Sequence, residues 1–330
     1  MTRPTAPFHR RFPQTCLAVA CLFALATAST AADAAEPAPP PATGGGDPES
    51  LVFIFQKQKD PAKVQAHADR FADALSKRLG MPVKAVVPGD YSASVQALVS
   101  RKADVAYVSA MPFLLARRDG KARLLLAEQR ADADGRMRTE YDSVFVARRD
   151  SPLKGIEDIK SRAGELRVVF TSPTSTSGYV MPVWRLVSEG VVQRGQDVSR
   201  AFRQTSFAGG YTQALEQVLA GRADVACVSF YTVEGDRADV YTTPEQRREL
   251  KIVARTPGVP THLVAVRDGL SDGLKNRIRD ALLELAQSEP DLLADVYGAK
   301  ALTPVDEDAH VRQAVEAIQA AGLPVESLAR

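Results

Sequence analysis

Little in this 330-residue chain is suited to crosslinking, base stacking or metal capture. Its three cysteines are Cys16, Cys21 and Cys227. The first two fall in an N-terminal leader, so one thiol remains and no disulfide framework can form. Cys227 lies inside the apolar stretch Val225–Val228 and reads as a small buried hydrophobe, not a catalytic thiol. Aromatic residues make up 6 %, too few for rows of stacking platforms. A net charge of +2, from 42 basic and 40 acidic residues, lacks the clustered positive excess of a nucleic-acid surface. Four histidines, His9, His67, His262 and His310, share no metal-ligand spacing. There is no Gly-x-Ser-x-Gly, no Walker loop and no dinucleotide fingerprint. No catalytic residue, metal or cofactor is expected.

The leader is residues 1–34. Arg3, His9, Arg10 and Arg11 precede a short apolar run, Cys16 to Ala28, and small-residue cleavage candidates follow at Ala26-Thr27-Ala28 and Ala32-Asp33-Ala34. The run is too short for a membrane span. Ala20-Cys21 has the look of a lipobox end, but the apolar stretch continues through Leu25, as in a signal-peptide core. The expectation is an exported, soluble protein. Residues 35–50, rich in Pro, Ala and Gly, read as a disordered linker. Residues 51–330 are long enough for two domains.

Those two domains announce themselves in a repeat. GDYSASVQALVSRKADVAYVS at 89–109 recurs as GGYTQALEQVLAGRADVACVS at 209–229. Gly89/Gly209, Tyr91/Tyr211, Asp104/Asp224 and Ser109/Ser229 coincide. Each copy reads as a glycine turn, an amphipathic helix, a turn holding the aspartate, and an apolar strand ending in a hydroxyl. Two such units predict two α/β lobes with a cleft between them.

Around the repeat, Leu51–Phe55 and Val83–Val87 read as strands. A helix starts at Asp60-Pro61 and stops at Gly80 between them. Strands over Asp142–Ala147, Arg167–Phe170, Leu250–Ala254 and His262–Val266 are expected, with Pro257 and Pro260 bracketing a turn. The last 60 residues read as helical, with amphipathic runs at 275–287 and 308–321. Apolar strands without alternation, separated by helices, predict mostly parallel sheets flanked by helices.

One loop carries chemistry. Thr174-Ser175-Thr176-Ser177-Gly178 falls after a strand and before a helix. The first N–H groups of a helix lack internal partners and carry partial positive charge, and three short hydroxyls beside them suit a tetrahedral oxyanion. The alternative role for Ser175 or Thr176 is to cap its own helix. Ser109 and Ser229, at strand C-termini, either line the pocket or make buried hydrogen bonds. Asp104 and Asp224 read as turn or cap residues.

These segments, together with FQKQKDPAKV, YDSVFVARRDSPLKGIEDIK and FTSPTSTSGYVMP, resemble the periplasmic phosphonate/phosphite/phosphate-binding proteins of ABC importers. The match falls in order and covers most of residues 51–266. The resemblance implies an α/β, two-lobed type II periplasmic-binding-protein fold with a two-stranded hinge. Lobe I would be 51–146 and 262–330, and lobe II 147–261. It gives Ser175, Thr176 and Ser177 to the phosphorus oxyanion and places Tyr91 in the same pocket. With them Gly178, Ser92, Ser109, Tyr211 and Ser229 form the expected ligand-binding set.

Where many relatives carry a histidine and an acid in the second-lobe unit, this chain has Tyr211 and Ser229. That departure points away from an aminoalkylphosphonate, whose amine needs the acid. A smaller oxyanion fits better, or one whose organic group meets Tyr91, Tyr107 and Tyr211. The expected function is capture of a phosphonate, phosphite or phosphate-like oxyanion by a periplasmic monomer that serves an ABC permease of the inner membrane, without nucleic acid. The alternatives are a ligand-sensing module for a membrane receptor and, last, a hydrolase using Ser175 or Ser177, for which no matching histidine is at hand.

Overall fold

The computed structural model describes residues 46–324, apart from 58, 133–134 and 236–237. The leader and most of the linker lie outside these. In chain order the elements begin β1 (Leu51–Phe55), α1 (Pro61–Leu79), β2 (Val83–Val86), α2 (Tyr91–Val99), β3 (Val105–Val108), α3 (Ala110–Gly120), β4 (Arg123–Ala131), β5 (Met137–Arg138) and β6 (Glu140–Arg148). Next are α4 (Ile156–Ser161), β7 (Arg167–Phe170), α5 (Met181–Ser188), β8 (Gln204–Phe207), α6 (Tyr211–Leu219), β9 (Val225–Ser229), α7 (Pro244–Arg248) and β10 (Leu250–Pro260). Then come β11 (Leu263–Val266), α8 (Asp272–Ser288), α9 (Pro290–Tyr297), β12 (Ala301–Thr303) and α10 (Glu307–Ala321).

Two sheets result. The first runs β12-β4-β11-β3-β1-β2, with β5 on β4; the second runs β10-β6-β9-β7-β8. Both are mixed. Strands joined by helical crossovers are parallel, β2-β1-β3 in one and β8-β7-β9 in the other. Strands arriving from the opposite sheet enter antiparallel, β11 on β3 and β4 and β6 on β9, and β10 runs antiparallel to β6 at the edge. The same strand order in both sheets makes the repeat visible in space. β6, which straddles the expected lobe boundary at 146/147, pairs with β9 and β10 of the second sheet over its length.

Local signals account for the helix ends. Asp60 accepts from Lys63 N, Pro61 occupies the first turn, and Gly80 closes α1 at φ +64°. One local signal misleads. The prolines at 257 and 260 bracket no turn; they lie inside β10. That strand is the edge of its sheet, where a missing N–H costs no ladder bond, and its register slips at Ile252/Ala254 and Thr256/Val259. The C-terminal segment is also not wholly helical, since β12 adds to β4.

The chain passes between sheets from β4 and β5 into β6 and back from β10 into β11. These crossings are tied together by Thr261 N donating to the Thr139 carbonyl and Glu128 N to that of His262. α10, placed in lobe I by the sequence reading, buries Val311, Ala314, Ala317 and Ile318 and packs on β10 and α5 as well as on α3. Even the end of the linker is anchored, with Asp47 accepting from Ser271 N and Oγ at the start of α8.

Candidate functional site

Each sheet presents the C-terminal ends of its parallel strands to the other, and there the polar side chains of the repeat are buried. In the second lobe β7 ends at Phe170 and the chain turns through 171–175. It then enters α5 by a π-helical turn, Thr176–Val180, in which Val180 N donates to the Ser175 carbonyl, at 3.1 Å. The turn requires Gly178. A Cβ there would lie 2.2 Å from Thr171 Oγ1 and 2.8 Å from Ser175 Oγ.

This geometry divides the three hydroxyls. Ser175 Oγ accepts from Gly178 N and so caps its own turn. Thr176 Oγ1 accepts from Met111 N, 2.8 Å away at the start of α3 in the first lobe. Ser177 is the centre of a hydroxyl cluster. Its Oγ lies 2.8 Å from Tyr211 OH, 2.8 Å from Ser229 Oγ and 3.2 Å from Tyr141 OH. One donor and two acceptor positions are thereby all used. Ser143 Oγ, on the same face of β6 as Tyr141, donates to the Ser177 carbonyl at 2.6 Å. Tyr211 opens α6 and Ser229 ends β9, so both reach the cluster through the repeat.

The first lobe supplies the facing groups. Gln56, just past β1, accepts from Ser109 N at 3.0 Å and from Ser109 Oγ at 3.3 Å. Its Nε2 is buried without a hydrogen bond, as are Tyr91 OH and Ser94 Oγ on α2. Tyr91 lies beside the Gln56 amide and close enough to Tyr211 for their phenols to interact. Burial, and then the neighbouring Tyr211, push the Tyr91 and Tyr141 phenols well above the ordinary range, so both stay neutral hydrogen-bond donors. Buried donors left unpaired are costly and rare, and here they gather at one place. Ser92 is half-buried on the first turn of α2, with no side-chain hydrogen bond among the described residues.

Sequence reasoning passed over Gln56, Tyr141, Ser143 and an aromatic wall of Tyr231, Tyr241 and Tyr297. Tyr231 lies 6.2 Å from Tyr211 and 5.5 Å from Tyr241, ring centre to ring centre. It also passed over a charged group at the hinge. Glu128 accepts from Arg130 Nε at 2.6 Å and from Tyr107 OH, and faces His262 Nδ1 at 3.3 Å. Burial alone would raise the Glu128 carboxyl; Arg130 and His262 more than offset it and hold it at about 2. The Arg130 guanidinium also lies 3.8 Å from the Tyr231 ring centre. Tyr107, expected to meet an organic group, has its hydroxyl engaged by Glu128 and its ring packed 4.8 Å from that of Tyr297.

A buried, uncharged ring of hydroxyls thus lies between the two lobes, and comparison with known proteins gives the chain a family. The family described as "ABC transporter, phosphonate, periplasmic substrate-binding protein" matches residues 53–310. The phosphate-import protein PhnD of Mycolicibacterium smegmatis is 27% identical over 264 residues, covering 79% of this chain and 78% of that protein. The phosphonates-binding periplasmic protein of Escherichia coli is 25% identical over 276 residues, covering 82% and 74%. Among solved structures, the binding protein component of an ABC phosphonate transporter from Pseudomonas aeruginosa superposes with a TM-score of 0.73. It shares 24% identity and covers 85% of this chain and 90% of that one. PhnD1 of Prochlorococcus marinus, in complex with methylphosphonate, superposes at 0.68 with 20% identity, covering 83% and 98%. The two lobes, the repeated strand order and the buried hydroxyl site thus have a common explanation: the chain belongs to the periplasmic substrate-binding proteins of ABC phosphonate transporters.

Proposed function

We propose that this protein closes its two lobes on a phosphonate, phosphite or phosphate-like oxyanion and delivers it to an ABC permease of the inner membrane, acting as a periplasmic monomer. The observation that carries the reading is the convergence on Ser177 Oγ of Tyr211, Ser229 and Tyr141, opposite the unpartnered Gln56 Nε2 and Tyr91 OH. Hydroxyl hydrogens rotate, so the same groups can turn from one another to the oxygens of an anion. The ligand-binding set is then Ser177, Tyr211, Ser229, Tyr91 and Ser109, extended by Gln56 and Tyr141. Ser175, Thr176 and Gly178 shape the turn and the contact between lobes, and Ser92 stands at the margin.

The carboxylate whose charge reaches this cluster, at Tyr141, is Glu128, already neutralised by Arg130. That favours an oxyanion without an amine. Hydrolysis through Ser177 would need a base, and its hydrogen-bonding neighbours are neutral hydroxyls. Among the described residues no helix is long and apolar enough to cross a membrane.

A calorimetric titration of the mature protein with phosphate, phosphite, methylphosphonate, aminoethylphosphonate and sulfate tests the reading, with Ser177→Ala and Ser175→Ala beside wild type. Ser177→Ala is expected to weaken the best ligand by about 10- to 100-fold, the equivalent of roughly 1.5–3 kcal/mol for a hydrogen bond to a charged group. Ser175→Ala should cost about 1 kcal/mol of stability, as loss of a cap does, and leave affinity nearly unchanged. Equal losses from the two, or no oxyanion bound by wild type, would defeat the assignment.

A further inference from the structure

The oxyanion cluster holds no cation, yet a lysine is buried at the seam beside it. Lys59 lies in the first-lobe loop between β1 and α1 and is 5 % exposed. The other buried charges are paired, Arg267 with Asp104 at 2.8 Å and Arg130 with Glu128 at 2.6 Å. Lys59 Nζ instead donates to the Asp295 main-chain carbonyl at 3.2 Å and lies 5.9 Å from the ring centre of Tyr241, which belongs to the second lobe. Among the described residues no carboxylate comes within salt-bridge distance of it. A buried ammonium without a counter-ion is costly to form.

The ring that covers Lys59 is also part of the site. Tyr241 lies 6.1 Å from Tyr211, whose hydroxyl bonds Ser177. Its own hydroxyl donates across the seam to the Tyr297 carbonyl, at 3.1 Å. Closing the lobes therefore places Tyr241 over Lys59 and removes the ammonium from water. We propose that Lys59 is a specificity-determining charge gate: its burial against Tyr241 opposes closure, and an anion held between the lobes offsets that cost where a neutral molecule does not. This rests on the oxyanion-capture function proposed above.

The charges facing Lys59 are few. Asp295 of α9 and Asp239 of the turn before Tyr241 favour the ammonium; Lys63 of α1 opposes it, and His67 stands near on the same helix. Burial is the largest influence, and the Lys59 ammonium is pushed down to about 8 from an ordinary 10.5. Because the closed form holds the proton less tightly, the opposition to closure is complete below pH 8 and disappears as pH rises from 8 to 10.5. An anion roughly 10 Å away, at the effective dielectric of a protein interior, recovers about tenfold.

Small-angle scattering of ligand-free wild type, Lys59→Met and Lys59→Arg at pH 7 and pH 10 tests the gate, with methylphosphonate-saturated protein as the closed reference. Wild type should be extended at pH 7 and compact at pH 10. Lys59→Met should be compact at both, and Lys59→Arg, which does not titrate, extended at both. Calorimetry should show Lys59→Met discriminating methylphosphonate from neutral methanesulfonamide about tenfold less than wild type does. If methylphosphonate and phosphate compact no variant, the function falls and the gate with it. If they compact wild type while Lys59→Met matches it in shape, pH profile and discrimination, the gate alone is overturned.

Discussion

The two copies of the repeat build the same frame and fill it with different atoms. In both, the aspartate before the strand clasps its neighbour. Asp104 Oδ2 accepts from Val52 N at 2.9 Å, and Asp224 Oδ2 accepts from Arg167 N at 2.7 Å. Each aspartate N–H returns a bond to the same neighbour's carbonyl. In both, the serine ending the strand bonds a side chain from the segment after the neighbouring parallel strand, Ser109 to Gln56 after β1 and Ser229 to Ser177 after β7. There the likeness stops. Tyr211 OH is engaged by Ser177, whereas Tyr91 OH has no partner. The hydroxyls around Ser177 satisfy one another, with Tyr231 OH left over beside them, while the first-lobe wall holds Tyr91 OH and Gln56 Nε2 in reserve. A repeat can thus fix where the walls stand without fixing what they bind.

The largest effect that should separate the copies concerns the aspartates. Asp104 and its partner Arg267 are both buried, while Asp224 and Arg167 are each about one-third exposed. Asp104→Asn leaves a buried guanidinium without its counter-charge and should cost about 3–5 kcal/mol. Asp224→Asn, with water at hand, should cost about 1 kcal/mol or less. Urea unfolding of the two variants measures the difference, and equal costs would break the contrast between an enclosed and a solvated clasp.

Next in size is the turn found in the second lobe alone. Ala at 178 drives a methyl into Thr171 and Ser175, side chains already committed to the Cys227 carbonyl and to Gly178 N. Gly178→Ala should cost about 1–3 kcal/mol and displace Ser177 from Tyr211 and Ser229, so affinity for the oxyanion falls with stability. A variant that lost neither would show that the π-helical turn does not position Ser177.

Much of the frame was legible because its signals are local. Asp60-Pro61 and Gly80 bound α1, the repeat places Tyr91, Ser109, Tyr211 and Ser229, and the hydroxyl run contains Ser177. What escaped depends on distant pairing. Tyr141 and Ser143 share a face of β6, but only the contact of that strand with β9 turns the face toward Ser177. The prolines of β10 look like a turn until the strand is known to be an edge. His262, which shares no metal-ligand spacing with the other histidines, meets Glu128 through the pairing of β11 with β4. Lys59 reads as the residue before a helix cap, and the tyrosine ring beside its buried ammonium comes from the other lobe.

The smallest expected difference lies in the glycines that open the two copies. Gly209 sits at φ +80°, in the left-handed region, while Gly89 has an ordinary φ. A Cβ at Gly89 would meet nothing within 4 Å, and one at Gly209 would meet only the end of Lys57, at 3.7 Å. Space is therefore not the issue at either position; backbone conformation is. Gly209→Ala should cost about 1–2 kcal/mol, and Gly89→Ala should stay within about 0.5 kcal/mol of wild type. The identity of these residues in sequence would then conceal a difference in need: glycine is required where the turn leads to the Ser177 wall and is dispensable where it leads to Tyr91. Equal thermal stabilities for the two variants would restore the symmetry that the sequence suggests.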